Sequence, residues 1–180
     1  MFYLIVVLIG FFLLYLFFIA PGAVPNHSDS LLWESHYAHR GLHEKNKEVP
    51  ENSILAFTKA VEAGYGMELD VNLIADGKVV VFHDDSLLRV CGVDKPITEC
   101  LSTELSDYHI ENTEQTIPLL KDVLHLVAGR VPLIIELKNT KEWQQLCVKT
   151  AALMDDYAGV YCIESFHPGI VGWFYKNRPE

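Results

Sequence analysis

Two strand-like runs that could be plain apolar carry chemistry instead: Glu68 and Asp70 in "MELDV", then His83, Asp84 and Asp85 behind "KVVVF". Side chains alternate along a strand, so Glu68 and Asp70 share a face. The connection between the runs is far too short for a parallel crossover, so they pair antiparallel. Asp76-Gly77 is a favoured two-residue hairpin turn because glycine tolerates positive φ. That turn sets Ala75 against Lys78, Asp70 against His83 and Glu68 against Asp85, bringing two carboxylates and an imidazole together with opposed Cβ atoms about 5 Å apart. The bland alternative is a solvated hairpin face, since exposed Glu and Asp are common. A turn longer by one residue would shift the pairing.

Polar residues recur at the ends of other strand-like runs. His39-Arg40 ends "YAHR", Glu136 and Lys138 end "VPLIIELK", and Ser165 ends "VYCIES". In barrels and open α/β sheets the C-terminal strand ends form the site. Three carboxylates, Glu68, Asp70 and Glu136, without cysteine ligands suit a hard divalent cation, Mg²⁺ or Ca²⁺. Arg40 and Lys138 supply positive charge for a phosphate. His39 and His83 titrate near neutrality and suit acid and base roles. Cation, cationic clamp and two imidazoles together describe phosphodiester hydrolysis. His36, His43, His109 and His167 have no such placement.

The elements that position these groups alternate. "NSILAFTKAVEAGYG" reads as a helix capped by Asn52 or Ser53 and stopped near Gly64 or Gly66. "IPLLKDVLHLVAG", "KEWQQLCVKTAALMDDYAG" and "PGIVGWFYKN" read as further helices. With the return arm of the hairpin left out, strand and helix alternate, which argues for βα units around a parallel sheet. Residues 86–116 are turn-rich without a clear period and suggest an excursion.

The chain has 180 residues, half of them hydrophobic, which excludes disorder as a general description. Phe2 to Ala20 carries no charge and is about long enough to cross a bilayer, so residues 1–20 are expected to be a transmembrane anchor and residues 21–34 a linker. A cleaved signal peptide is the rival, but no Lys or Arg precedes the apolar run. The expected location is a membrane, spanned once, on a side that the flanking charges leave uncoded. A net charge of −10 disfavours nucleic acid as a partner. The four cysteines lack metal or disulfide spacing and read as buried or free thiols.

In order along the chain, these residues resemble the glycerophosphodiester phosphodiesterase family. The match runs through His39-Arg40-Gly41, Pro50-Glu51-Asn52-Ser53 with Ala56-Phe57, Glu68-x-Asp70, and Asp76-Gly77 to Val81-Phe82-His83-Asp84. It continues through Leu88-x-x-x-Gly92, Ile117-Pro118-Leu119-Leu120, Glu136-x-Lys138 and Ser165-Phe166. The resemblance implies an α/β fold, a TIM-type (β/α)8 barrel, and hydrolysis of a glycerophosphodiester, a phospholipid-derived small molecule, to an alcohol and glycerol 3-phosphate. It implies Glu68, Asp70 and Glu136 as metal ligands, His39 and His83 as acid and base, and Arg40 and Lys138 on the phosphate. It further implies that Glu51 orients Arg40 or the ligand and that residues 84–116 form a small insertion after the hairpin. Such a barrel takes about 250 residues and eight strands. Residues 35–180 offer four barrel strands, so the expectation is a C-terminally truncated domain lacking the family's later motifs. Open edges then imply self-association. Two other functions stay open: a membrane-tethered half barrel that binds a ligand without catalysis, and a related phospholipase that forms a cyclic phosphate.

Overall fold

The computed structural model describes residues 2–19, 30–44 and 48–179. It divides into two units, Met1–Ser30 and Leu31–Glu180. Among the described residues the first holds helix α1 (Phe2–Ile19), which is exposed from Tyr3 to Phe17 and carries no charged side chain there. Its 18 residues amount to about 27 Å at 1.5 Å per residue. A bilayer core of about 30 Å asks for about 20 residues. Among the described residues no helix is long and apolar enough to cross a membrane, so the expected transmembrane span over residues 1–20 is not supported. Most of the expected linker lies outside the described residues. Its last residues form a short helix, α2 (Ser30–Glu34).

The second unit is built on βα units. Strands β1 (Tyr37–His39), β2 (Gly66–Leu73), β4 (Leu133–Leu137) and β5 (Tyr161–Glu164) run parallel in the order β1-β2-β4-β5. Helices α3 (Ile54–Ala63), α5 (Leu120–Val127), α6 (Trp143–Met154) and α7 (Pro168–Asn177) follow the pattern read from the sequence. Ser53 caps α3 by accepting a hydrogen bond from the Ala56 N–H at 3.1 Å, and Gly64 ends it in the left-handed region.

Alternation sorts the strands into two faces. Met67, Leu69 and Val71 on β2, with Leu133, Ile135 and Leu137 on β4, are buried in one core with Phe57, Leu120, Leu146 and Ile170 from the helices. Each such side chain contributes about 1.5–3 kcal/mol through burial. Glu68, Asp70, Ile134 and Glu136 point to the other face, as do Tyr37, His39, Cys162 and Glu164 by register. On that face Tyr37, Ile134 and Cys162 are half-buried and Glu164 is exposed.

The hairpin forms, with β3 (Val79–Val81) antiparallel to β2, but its register is one residue away from the expected one. Val71 opposes Val81 and Leu73 opposes Val79, which carries Asp70 opposite Phe82 and not His83. The turn takes three residues, Ala75 to Gly77, closed by Ile74 N–H to the Lys78 carbonyl. Gly77 at φ +76° supplies the left-handed residue that a three-residue turn requires. His83, Asp84 and Asp85 therefore lie beyond the ladder.

The slipped strand serves two cores. Val79 and Val81 join the main one, whereas Val80 and Phe82 join a second with Leu87, Ile97, Leu105 and Ile110. This second core organises residues 84–116, a helix α4 (Leu88–Cys91) followed by 3₁₀ turns at Ile97–Glu99, Ser102–Asp107 and Ile110–Asn112. All four cysteines are free thiols.

Candidate active site

Glu68, Asp70 and Glu136 are buried on one face of two adjacent parallel strands, Asp70 and Glu136 side by side in register and Glu68 two residues before Asp70. One oxygen from each lies within 4.8 Å of the others. Like charges this close in a dry setting resist ionisation. Burial first, then the Asp70 charge, pushes the Glu68 carboxyl up to about 7, with Glu136 adding to it. The buried Glu68 Oε1 has no hydrogen-bond partner. An orphaned carboxylate oxygen in an all-oxygen cluster fits a hard divalent cation.

The protein partly balances this charge itself. Lys138 Nζ lies 2.8 Å from Glu136 Oε1 and 3.1 Å from Asp70 Oδ1. Burial works to lower the Lys138 amine, but the Glu136 hydrogen bond and the Asp70 charge prevail and hold it above its ordinary value. Arg40 donates its backbone N–H to Glu68 Oε2 at 3.1 Å, and its Nε is 3.5 Å from Asp70 Oδ2. That geometry needs Arg40 at φ +58°, a left-handed conformation that costs a non-glycine residue of the order of 1–2 kcal/mol. The next residue, Gly41, packs its Cα against α3. A Cβ there would meet Ala56 Cβ and Phe57 at 2.9 Å.

The two histidines flank the cluster. His39, largely exposed, places Nε2 3.8 Å from Glu68 Oε2. His83 lines an open cleft with Asp84, Asp85, Glu136, Lys138 and Phe166. Its Nδ1 is 2.6 Å from Asp84 Oδ1. Burial works to raise the Asp84 carboxyl, and hydrogen bonds from Arg89 and His83 outweigh it, leaving Asp84 below its ordinary value. An ionised carboxylate only accepts, so Asp84 assigns a hydrogen to His83 Nδ1, and in the neutral ring that leaves the lone pair on Nε2.

The family model for glycerophosphoryl diester phosphodiesterases matches residues 39–169, a stretch that holds every one of these groups. The chain belongs to this family. A glycerophosphodiester phosphodiesterase of Bacillus altitudinis is 32% identical over 156 residues, covering 80% of this chain and 62% of that relative. Among solved structures, an Oleispira antarctica phosphodiesterase in complex with the product sn-glycerol-3-phosphate matches with a TM-score of 0.71 at 25% identity. It covers 81% of this chain and 63% of that one. The Thermotoga maritima glycerophosphodiester phosphodiesterase matches at 0.66 and 32% identity, over 78% and 57% respectively. The chain thus spans about three fifths of the length of these relatives, and its sheet is part of a family barrel.

Within this family frame, the structure brings all seven residues expected from the sequence to one end of the sheet, with a correction and some additions. Ser165 does not face the cluster: its Oγ donates to the Leu137 carbonyl at 2.7 Å and accepts from the His167 N–H at 3.1 Å, tying β4 to the start of α7. The polar side chain that β5 turns toward the cluster is Glu164, in register with Glu136. Burial raises its carboxyl, and the charges of Glu136 and Asp70 add to that. Asn52 Nδ2 donates to Asp70 Oδ2 at 2.8 Å, the kind of outer contact that orients a ligating carboxylate. Its signal was visible in "PENS", where it reads equally well as a helix cap. Asp84 stands next to His83 in the sequence, behind the run "KVVVF". Arg89 had no signal, because it sits in the insertion and reaches Glu51, 38 positions away, only in the fold.

Proposed function

We propose that the chain carries the cation and phosphate half of a glycerophosphodiester hydrolase, with Glu68, Asp70 and Glu136 holding one Mg²⁺ or Ca²⁺ ion. The observation that supports it most is the convergence of those three buried carboxylates within 4.8 Å, inside the family match. When bound, the ion supplies Lewis-acid stabilisation of charge on phosphoryl oxygens. Arg40 and Lys138, already at the rim of the cluster, hold the phosphate. His83, with its Nε2 lone pair free, takes a proton from the attacking water as the new P–O bond forms. His39 gives a proton to the alcohol oxygen as the old P–O bond breaks. The products are the alcohol and glycerol 3-phosphate, the compound bound in the Oleispira relative. The setting is lipid-headgroup metabolism.

The uncharged, exposed helix α1 supports a membrane location, which flotation of the expressed chain with lipid vesicles tests: a chain that stays in the dense fraction refutes it. The half-buried inward face of the sheet supports self-association, tested by sedimentation, where a monomer at all concentrations refutes it. That same open face favours a second reading, a ligand-binding half domain without catalysis. A coupled assay for glycerol 3-phosphate from glycerophosphocholine separates the two. Release that requires the cation and disappears in His39→Ala is the hydrolase, whereas no release from folded protein is the binding module.

A further inference from the structure

Two carboxylates that brace the site come from distant parts of the chain, and one guanidinium joins them. Arg89 lies on α4, inside the inserted segment. Its Nε is 2.5 Å from Asp84 Oδ2 and its Nη2 2.9 Å from Asp84 Oδ1. The same Nη2 is 2.6 Å from Glu51 Oε1, and Nη1 is 3.2 Å from Glu51 Oε2. All three nitrogens and all four carboxylate oxygens are engaged. Among the described residues each carboxylate has a further side-chain contact: Asp84 Oδ1 with His83 Nδ1 at 2.6 Å, and Glu51 Oε1 with Arg40 Nη1 at 2.9 Å.

We propose that Arg89 is a positioning residue that sets the His83 imidazole through Asp84 and the Arg40 guanidinium through Glu51. The proposal rests on the reading of His83 and Arg40 as groups that act on a phosphodiester. The Arg89 side chain is 49% exposed, and an exposed ion pair by itself stabilises a fold little. What the planar fork supplies is geometry: it fixes two carboxylates at once, which a lysine, a single charged point, does not. Freed from Arg89, Asp84 loses two charge-assisted donors and no longer holds one orientation against Nδ1. Glu51 loses both Arg89 contacts and keeps the one to Arg40. Because Arg89 belongs to the insertion, the ordering of residues 84–116 is transmitted to both working groups.

The test compares Arg89→Lys and Arg89→Met with Arg178→Gln, which removes a similarly half-exposed arginine paired with Asp155 far from this network. Two readouts are taken: imidazole ¹⁵N shifts of His83, and kcat and KM for glycerol 3-phosphate release. The expected result is loss of the pure Nδ1–H tautomer signature in both Arg89 variants. With it, kcat falls, KM rises, and kcat/KM drops by about 10- to 100-fold, the usual cost of losing an outer contact that orients a working group. Arg178→Gln leaves all of these unchanged. An Arg89→Lys protein that keeps the wild-type shifts and kinetics overturns the proposal, and so does a kinetic loss with unaltered shifts. If Arg89→Met does not fold, Arg89→Lys decides on the same readouts. Should the wild-type chain release nothing, the hydrolase reading fails, while the nitrogen shifts still decide whether Arg89 positions His83.

Discussion

Replacing Glu68 by glutamine should make the cation-free protein more stable while abolishing its response to the cation. Glu68 is buried, and burial with the Asp70 charge holds its carboxyl at about 7 against an ordinary value near 4.5. A carboxyl raised in the folded state favours folding while protonated, and that advantage fades as pH climbs from the unfolded value through the folded one. The wild type therefore loses stability between about pH 4.5 and 7, and above that the loss is constant. Holding a carboxyl that far above its ordinary value costs the ionised form about 3 kcal/mol. Glutamine removes the penalty and keeps an oxygen to accept the Arg40 N–H, which reaches Glu68 Oε2 at 3.1 Å. Urea unfolding in chelator should show the variant about 3 kcal/mol more stable than wild type at pH 8 and nearly equal at pH 4.5. Adding Mg²⁺ or Ca²⁺ should then raise only the wild type. Equal stability at pH 8, or a difference that does not vary with pH, would refute the reasoning.

On the acid side the sign reverses. Burial works to raise the Glu51 and Asp84 carboxyls, but hydrogen bonds from Arg89 win and hold both below their ordinary values. Their contribution is present above about pH 4–4.5 and is lost as pH falls through the lowered values, so Glu51→Gln should flatten the acid limb of a stability–pH curve. Gly41→Ala should lower stability by more than about 1 kcal/mol in thermal melting, because φ is +80° and the added Cβ meets Ala56 Cβ at 2.9 Å. Ile97→Ala, in the second core, should cost about 2–5 kcal/mol by urea unfolding, which an insertion without its own packing would not show.

Much of the site was legible because strand chemistry is regular. Glu68 and Asp70 had to share a face once β2 was a strand, and Glu136 had to join them once β4 ran parallel beside it. The hairpin register was not legible, since Asp76-Gly77 serves a two-residue turn and the end of a three-residue turn equally well. What decided it was burial of Val80 and Phe82 in a second core that no periodicity announced. The Glu51–Arg89–Asp84 bridge escaped for the same reason: it depends on where that core puts α4. At β5 the sequence marks Ser165 and Glu164, one residue before it, alike as polar, and only the register with Glu136 shows which of the two points inward.

The most direct measurement of the central claim is phosphorus NMR of glycerophosphocholine incubated with the folded chain, first with Mg²⁺ or Ca²⁺ and then with chelator, beside Glu136→Gln. Growth of the glycerol 3-phosphate monoester signal with the cation, and its absence in chelator and in the variant, is the predicted result. A folded chain that yields a cyclic phosphate, no monoester at all, or as much monoester in chelator as with the cation contradicts the account.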